Sequence, residues 1–156
     1  MKSLGAILLL SLISISQNVL AYDFIGQWGG KQPYYIVVNG QDFSQNCKIS
    51  ISTEVVGQKL FIDRSGVCPD AEYNFSTQLE LDIDSRDVLY KNGRRVGDIH
   101  SWGLSTDEIP LGNGSTISIG ARLNDDDPNN IFLEWDDYVY FDDNNFFGID
   151  SELTRD

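Results

Sequence analysis

Apolar and polar residues alternate with a period of two along most of the chain, and a helical period is nearly absent. Side chains of a strand point alternately to its two faces, so this pattern predicts half-buried strands. Phe24 to Gly30 reads as a first strand. Tyr34 to Val38 is a β-branched and aromatic run that stops at Asn39-Gly40. Cys47 to Val56 and Lys59 to Cys68 flank Gly57-Gln58, and Phe75, Thr77, Leu79, Leu81 and Ile83 alternate after them. Val88 to Lys91 and Arg94 to Ile99 flank Asn92-Gly93, the strongest hairpin signal present. Beyond the Asn113-Gly114 turn, Ile117, Ile119, Ala121 and Leu123 alternate. So do Leu133, Trp135, Asp137, Val139 and Phe141, and then Phe147, Ile149, Ser151 and Leu153. About ten short strands joined by local turns predict an all-β fold, an antiparallel up-and-down barrel, with a two-sheet sandwich as the alternative. Ser101 to Ser115 is the one long irregular stretch. A helical turn is expected at Ser105 to Ile109, with Ser105 as cap and Glu108 at the capping-box position.

Residues 1–21 depart from this pattern. Lys2 precedes an apolar run from Leu4 to Ile15, and Val19-Leu20-Ala21 carries small residues at a cleavage position. These are the parts of a secretory signal peptide, with cleavage expected after Ala21. The apolar run is shorter than the ~20 residues a bilayer requires, so no membrane insertion is expected after cleavage. The reading is a single barrel domain, 22–156, in a secreted or periplasmic protein.

An oxidising compartment favours pairing of the only two cysteines, Cys47 and Cys68. A two-residue turn at Gly57-Gln58 sets them opposite each other in one hairpin. The same register gathers Ile49, Ile51, Thr53 and Val55 with Leu60 and Ile62 on one face. No CxxC redox motif occurs, so the bridge is structural.

Gly26-Gln27-Trp28, at the start of the mature chain, resembles the G-x-W signature of the lipocalin and calycin superfamily; no other motif of that family occurs. The resemblance implies an up-and-down barrel closed by Gly26 and Trp28, with Arg155 near the end of the last strand packed over the indole. It also implies a non-catalytic binding protein for a small apolar ligand. Strict alternation puts Asp137 on the apolar face of its strand, beside Trp135. Pairing Val139 with Ile149 would place Ser151 opposite Asp137. A carboxylate on a core face requires a partner, so Trp28, Trp135, Asp137 and Ser151 are the candidate ligand-lining residues. The competing possibility is a bulge or turn at Asp136-Asp137 that returns Asp137 to solvent.

Charge sharpens the picture. There are 24 acidic and 11 basic residues, a net charge of -13, which argues against nucleic acid and anionic lipid as partners. The acid is concentrated: Arg122 to Asp156 holds 11 acids and two bases. On the face opposite Asp137, Phe132, Glu134, Asp136, Tyr138 and Tyr140 form an aromatic and acidic stripe. Such a stripe suits docking to a basic protein, as in an inhibitor or immunity-type protein that masks a basic enzyme.

Candidate chemistry is sparse. His100 is the single histidine, no G-x-S-x-G nucleophile motif occurs, and no catalytic residues are assigned. One His and two bridged Cys cannot supply a zinc site. No cofactor is expected except for weak calcium candidates, Asp125 and Asp127 in one loop and Asp142 and Asp143 in another. Neither loop carries the EF-hand pattern, and a meander sets the two loops at opposite ends, so they would not share one ion.

Overall fold

The computed structural model describes residues 22–69 and 73–155; the expected signal peptide lies outside the described residues. The strands in chain order are β1 (Gly26–Val38), β2 (Gln41–Val56), β3 (Lys59–Cys68), β4 (Tyr73–Ile83), β5 (Val88–Lys91) and β6 (Arg94–His100). Then follow β7 (Gly103–Thr106), β8 (Ile109–Pro110), β9 (Thr116–Asn124), β10 (Phe132–Asp142) and β11 (Asn145–Arg155). All strand pairings among the described residues are antiparallel. From β1 to β7 each strand pairs with the next, β7 and the short β8 both lie on β9, β9 pairs with β10 and β10 with β11, and β11 returns to β1. Ten strands therefore close a ring, which is a barrel and excludes an open two-sheet sandwich. Closure also removes most free strand edges, the usual hazard of a large sheet.

Turn chemistry explains the local connections. Asn39-Gly40 and Asn92-Gly93 adopt positive φ at both positions (51° and 73°, 52° and 78°). That conformation matches the right-handed twist of the flanking strands, and Asn and Gly accept it most readily. The inward side chains of the long strands form one core. Trp28, Tyr34 and Trp135 are its largest apolar members, with Ile49, Ile51, Leu60, Ile62, Leu81, Leu133 and Ile149 around them. Burial alternates along β3 and β10 as the period of two requires.

The Cys hairpin has the expected register, with Lys48 opposite Val67 and Val55 opposite Leu60. Cys47 and Cys68 are bridged, their Cα atoms 4.3 Å apart. In the loop-entropy model such a crosslink contributes about 3 kcal/mol.

Three expectations are corrected. The two expected strands, 24–30 and 34–38, are one strand, β1, which begins only at Gly26 and pairs with β2 from Gly26 to Val38. On its other side the ladder to β11 lapses between Gly29 and Tyr34, where Pro33 lacks an N–H to donate. The Ser101–Ser115 stretch holds no helical turn. β7 slots between β6 and β9 instead, and a Cβ at Gly103 would collide with the Ala121 carbonyl oxygen. Glu108 accepts a hydrogen bond from the Thr116 hydroxyl across that region, so it caps nothing. Finally, the β10–β11 pairing is shifted by two residues. Val139 faces Phe147, Asp137 faces Ile149, and Ser151 faces Trp135. The turn is tight at Asp143-Asn144, and a register irregularity between Tyr140 and Asp142 displaces the ladder.

Candidate functional site

Asp137 points into the barrel and is fully buried. It is not alone there. Arg64 of β3, 1% exposed, donates from Nε to Asp137 Oδ2 at 2.6 Å. Its Nη2 lies 2.6 Å from Oδ1, a close ion pair although the N–H is poorly aligned for a hydrogen bond. The Trp135 indole N–H donates to the same Oδ2 at 2.6 Å. The guanidinium also sits 4.5 Å from the Phe75 ring centre and 5.9 Å from that of Phe147, and Phe75 stacks on Tyr34 at 4.7 Å. A buried carboxylate is tolerable only with such a counter-ion and donors. Strict alternation from Leu60 and Ile62 already placed Arg64 inward. That was the available signal, and sequence reasoning missed it. Ser151 lies beside this cluster, across from Trp135, with its Oγ buried and without a hydrogen-bond partner.

At the lower end of the barrel, where β1 begins, Trp28 is fully buried. Its indole N–H donates to the Phe24 carbonyl at 2.8 Å. Arg155 stacks over the ring, its Cζ 4.7 Å from the centre, and donates to the carbonyls of Asp23 and Ile25. Gly26 lies directly under that guanidinium. Tyr22 bonds to Asp87 at 2.9 Å nearby; burial and that carboxylate push its phenol up to about 12.

The outer face of β10 and β11 carries the charge. Glu134 lies opposite Glu152, and Asp136 opposite Asp150. Like charges directly across an antiparallel pair are destabilising. Among the described residues, none of these four has an ion-pair partner within 4.0 Å. Asp136 is open to solvent on one side, but its carboxylate packs over Gly120, where any Cβ would collide with it. That burial, with Asp150 and Asp137 close by, raises its pKa above the ordinary carboxyl value. Tyr138 is shifted upward for the same reasons: burial first, then Asp150 and Asp136.

Above this ladder the face turns aromatic. Tyr138, Tyr140 and Phe146 pack together with ring centres 5.6 to 6.3 Å apart. They line, with Tyr35, Phe43, Asp42 and Asp150, a groove of about 620 Å³ open to solvent. A second open groove of about 610 Å³ meets it at Asp150. It lies where the β1–β11 ladder lapses, lined by Glu134, Asp136 and Glu152 together with Trp135 and Ser151. Gln32 bridges this gap, donating from Nε2 to the Glu152 carbonyl at 2.5 Å. The stripe of Phe132, Glu134, Asp136, Tyr138 and Tyr140 thus lies along one outer face, all at alternate positions of β10.

The acidic loops are placed apart. Asp125 and Asp127 precede β10, whereas Asp142 ends it and Asp143 follows at the opposite end. Asp127 accepts bonds from Asn129, and Asp142 from Asn144 and Asn145, which lower the Asp142 pKa. Among the described residues no three His, Cys, Asp or Glu side chains gather as a metal site. His100 is exposed at the end of β6, stacked on Trp102 rather than bonded to a serine and a carboxylate. No helix among the described residues is long and apolar enough to cross a membrane. Comparison of the chain with family models, curated proteins and solved structures finds no match.

Proposed function

We propose that the protein is an exported binding module whose outer β10–β11 face docks a basic partner protein. One observation carries this reading: the unneutralised carboxylate ladder of Glu134, Asp136, Asp150 and Glu152 runs into an aromatic groove. Such a ladder lowers the stability of the free protein, and a cationic partner would relieve it. Tyrosine and phenylalanine beside the carboxylates offer rigid contact area and ring faces for Lys or Arg. Export is supported by the leader-like residues 1–21 and by the disulfide.

Binding of oligoarginine and oligolysine peptides tests this reading. We expect association that weakens steeply with added salt, and that is lost in a Glu134→Gln/Asp136→Asn/Asp150→Asn/Glu152→Gln variant. Binding that is insensitive to salt, or unchanged in that variant, would rule the reading out.

The second reading, a small ligand within the barrel, draws on the lapse between β1 and β11. Trp135 and Ser151 border the groove there. Against it, Asp137 already accepts from both Trp135 and Arg64, so the interior charge needs no ligand to neutralise it.

A further inference from the structure

At the lower end of the barrel, one large aromatic side chain is displayed outward. Trp102 is 51% exposed, whereas Trp28 and Trp135 are buried. It occupies the tip of the β6–β7 hairpin, where His100 pairs with Gly103 and only Ser101 and Trp102 form the turn. The tip is tied down on both sides. The Leu123 N–H donates to the Trp102 carbonyl at 2.7 Å, and the Asp23 N–H donates to the Ser101 carbonyl at 2.7 Å. Gly103 is pressed against Ala121, so the tip cannot swing freely on β9. His100 stacks along the indole, 5.1 Å between centres and 23° between planes. The ring is thus held in a fixed orientation although it is exposed.

A groove of about 370 Å³ adjoins this indole, and His100 takes no part in lining it. Its other walls are Arg122, Leu123, Asn124, Asp125 and Asp126. It therefore combines an aromatic plane with a guanidinium, a carboxamide and two carboxylates. Planar groups of this kind donate and accept paired hydrogen bonds. None of these four polar side chains is engaged in an ion pair or side-chain hydrogen bond among the described residues. Two carboxylates disfavour an anion, and the guanidinium beside them offsets part of their pull on a cation. A neutral molecule with an apolar C–H face and hydroxyls around its edge meets both halves of the site. A pyranose with equatorial hydroxyls has that form.

We propose that Trp102, held by the β6–β7 hairpin, and the Arg122–Asp126 segment form a platform that binds a neutral sugar. The volume lies at the small end of ligand sites, which run from about 300 to 1,000 Å³. That size suits the terminal unit or units of a glycan rather than a long chain.

Tryptophan emission provides the test, because Trp102 alone among the three is exposed. The probes are cellohexaose and chitohexaose, with tetramethylammonium and an oligoglutamate peptide as charged comparators. We expect a saturable spectral shift with at least one oligosaccharide and none with the comparators. Trp102→Ala should weaken oligosaccharide binding about tenfold, or about 1.4 kcal/mol, read by calorimetry. Trp102→Phe should retain part of the affinity, and Asn124→Ala should weaken binding without altering the thermal midpoint. Absence of a saturable response to either sugar, a response to tetramethylammonium alone, or sugar binding unchanged in Trp102→Ala would overturn the proposal.

Discussion

Arg64 on β3 and Asp137 on β10 meet inside the barrel although four strand steps separate them round the ring. They form a strut across the lumen, with both side chains removed from water. Removing one partner leaves an uncompensated buried charge, which typically costs 3–5 kcal/mol. Arg64→Met or Asp137→Leu alone should therefore lower stability by about 4 kcal/mol in urea unfolding. The double variant should recover most of that loss, because well-packed apolar groups often replace a buried ion pair at little cost. A double variant as unstable as the sum of the singles would contradict this account.

Asp136 should set a pH dependence of opposite sign to that of most carboxylates. Its folded pKa is raised above the ordinary 3.8 by burial and by neighbouring Asp150 and Asp137. The folded state thus binds this proton more tightly than the unfolded state. Stability associated with Asp136 is greatest below the unfolded value and is lost as pH rises through the folded value. Asp136→Asn should remove that loss. At neutral pH the variant should be more stable by about 0.5 kcal/mol, a modest figure because the exposed side is screened. Urea midpoints measured from acid to neutral pH should show the two proteins diverging as pH increases.

The disulfide joins residues 21 apart in sequence. Cys47→Ala/Cys68→Ala should lose about 3 kcal/mol. The hairpin register is independently specified by Ile49, Ile51, Leu60 and Ile62, so the variant should keep its far-ultraviolet spectrum at low temperature. A lost β signature would mean that the bridge, and not the apolar face, determines the register.

Arg155 contributes a stacking contact on Trp28 and two hydrogen bonds to the Asp23 and Ile25 carbonyls. Arg155→Ala should lower stability by about 1–2 kcal/mol. Thermal melts will read the loss, and near-ultraviolet dichroism should report a changed Trp28 environment. Arg155→Lys should recover only part, since an ammonium cannot span both carbonyls while lying flat on the indole.

Residues near in sequence declared their contacts early. The Gly57 turn, the alternation of Ile49 to Val55 and the Cys positions all agree on a single register, so the disulfide was legible before any fold was known. Alternation put Asp137 on the apolar face but left open a bulge at Asp136-Asp137, and only its burial against Arg64 and Trp135 decides for the interior. The Ser101–Ser115 segment was misread as partly helical. β7 is only Gly103–Thr106, and its conformation is set by β6 and β9 on either side rather than by its own residues. The β10–β11 register was misplaced by two residues for a similar reason. Shifting by two keeps every side chain on its face, so alternation cannot distinguish the two registers.

Strand content, inward and outward faces, hairpin turns and the excess of acid in the last 35 residues were determined by the sequence itself, because each depends on near neighbours along the chain. Ring closure between β11 and β1, the Arg64–Asp137 strut and the like-charge pairs Glu134–Glu152 and Asp136–Asp150 were decided only by the tertiary structure. They depend on which distant residues face one another. That follows from the final register and the closing of the barrel, and neither is written in any local pattern.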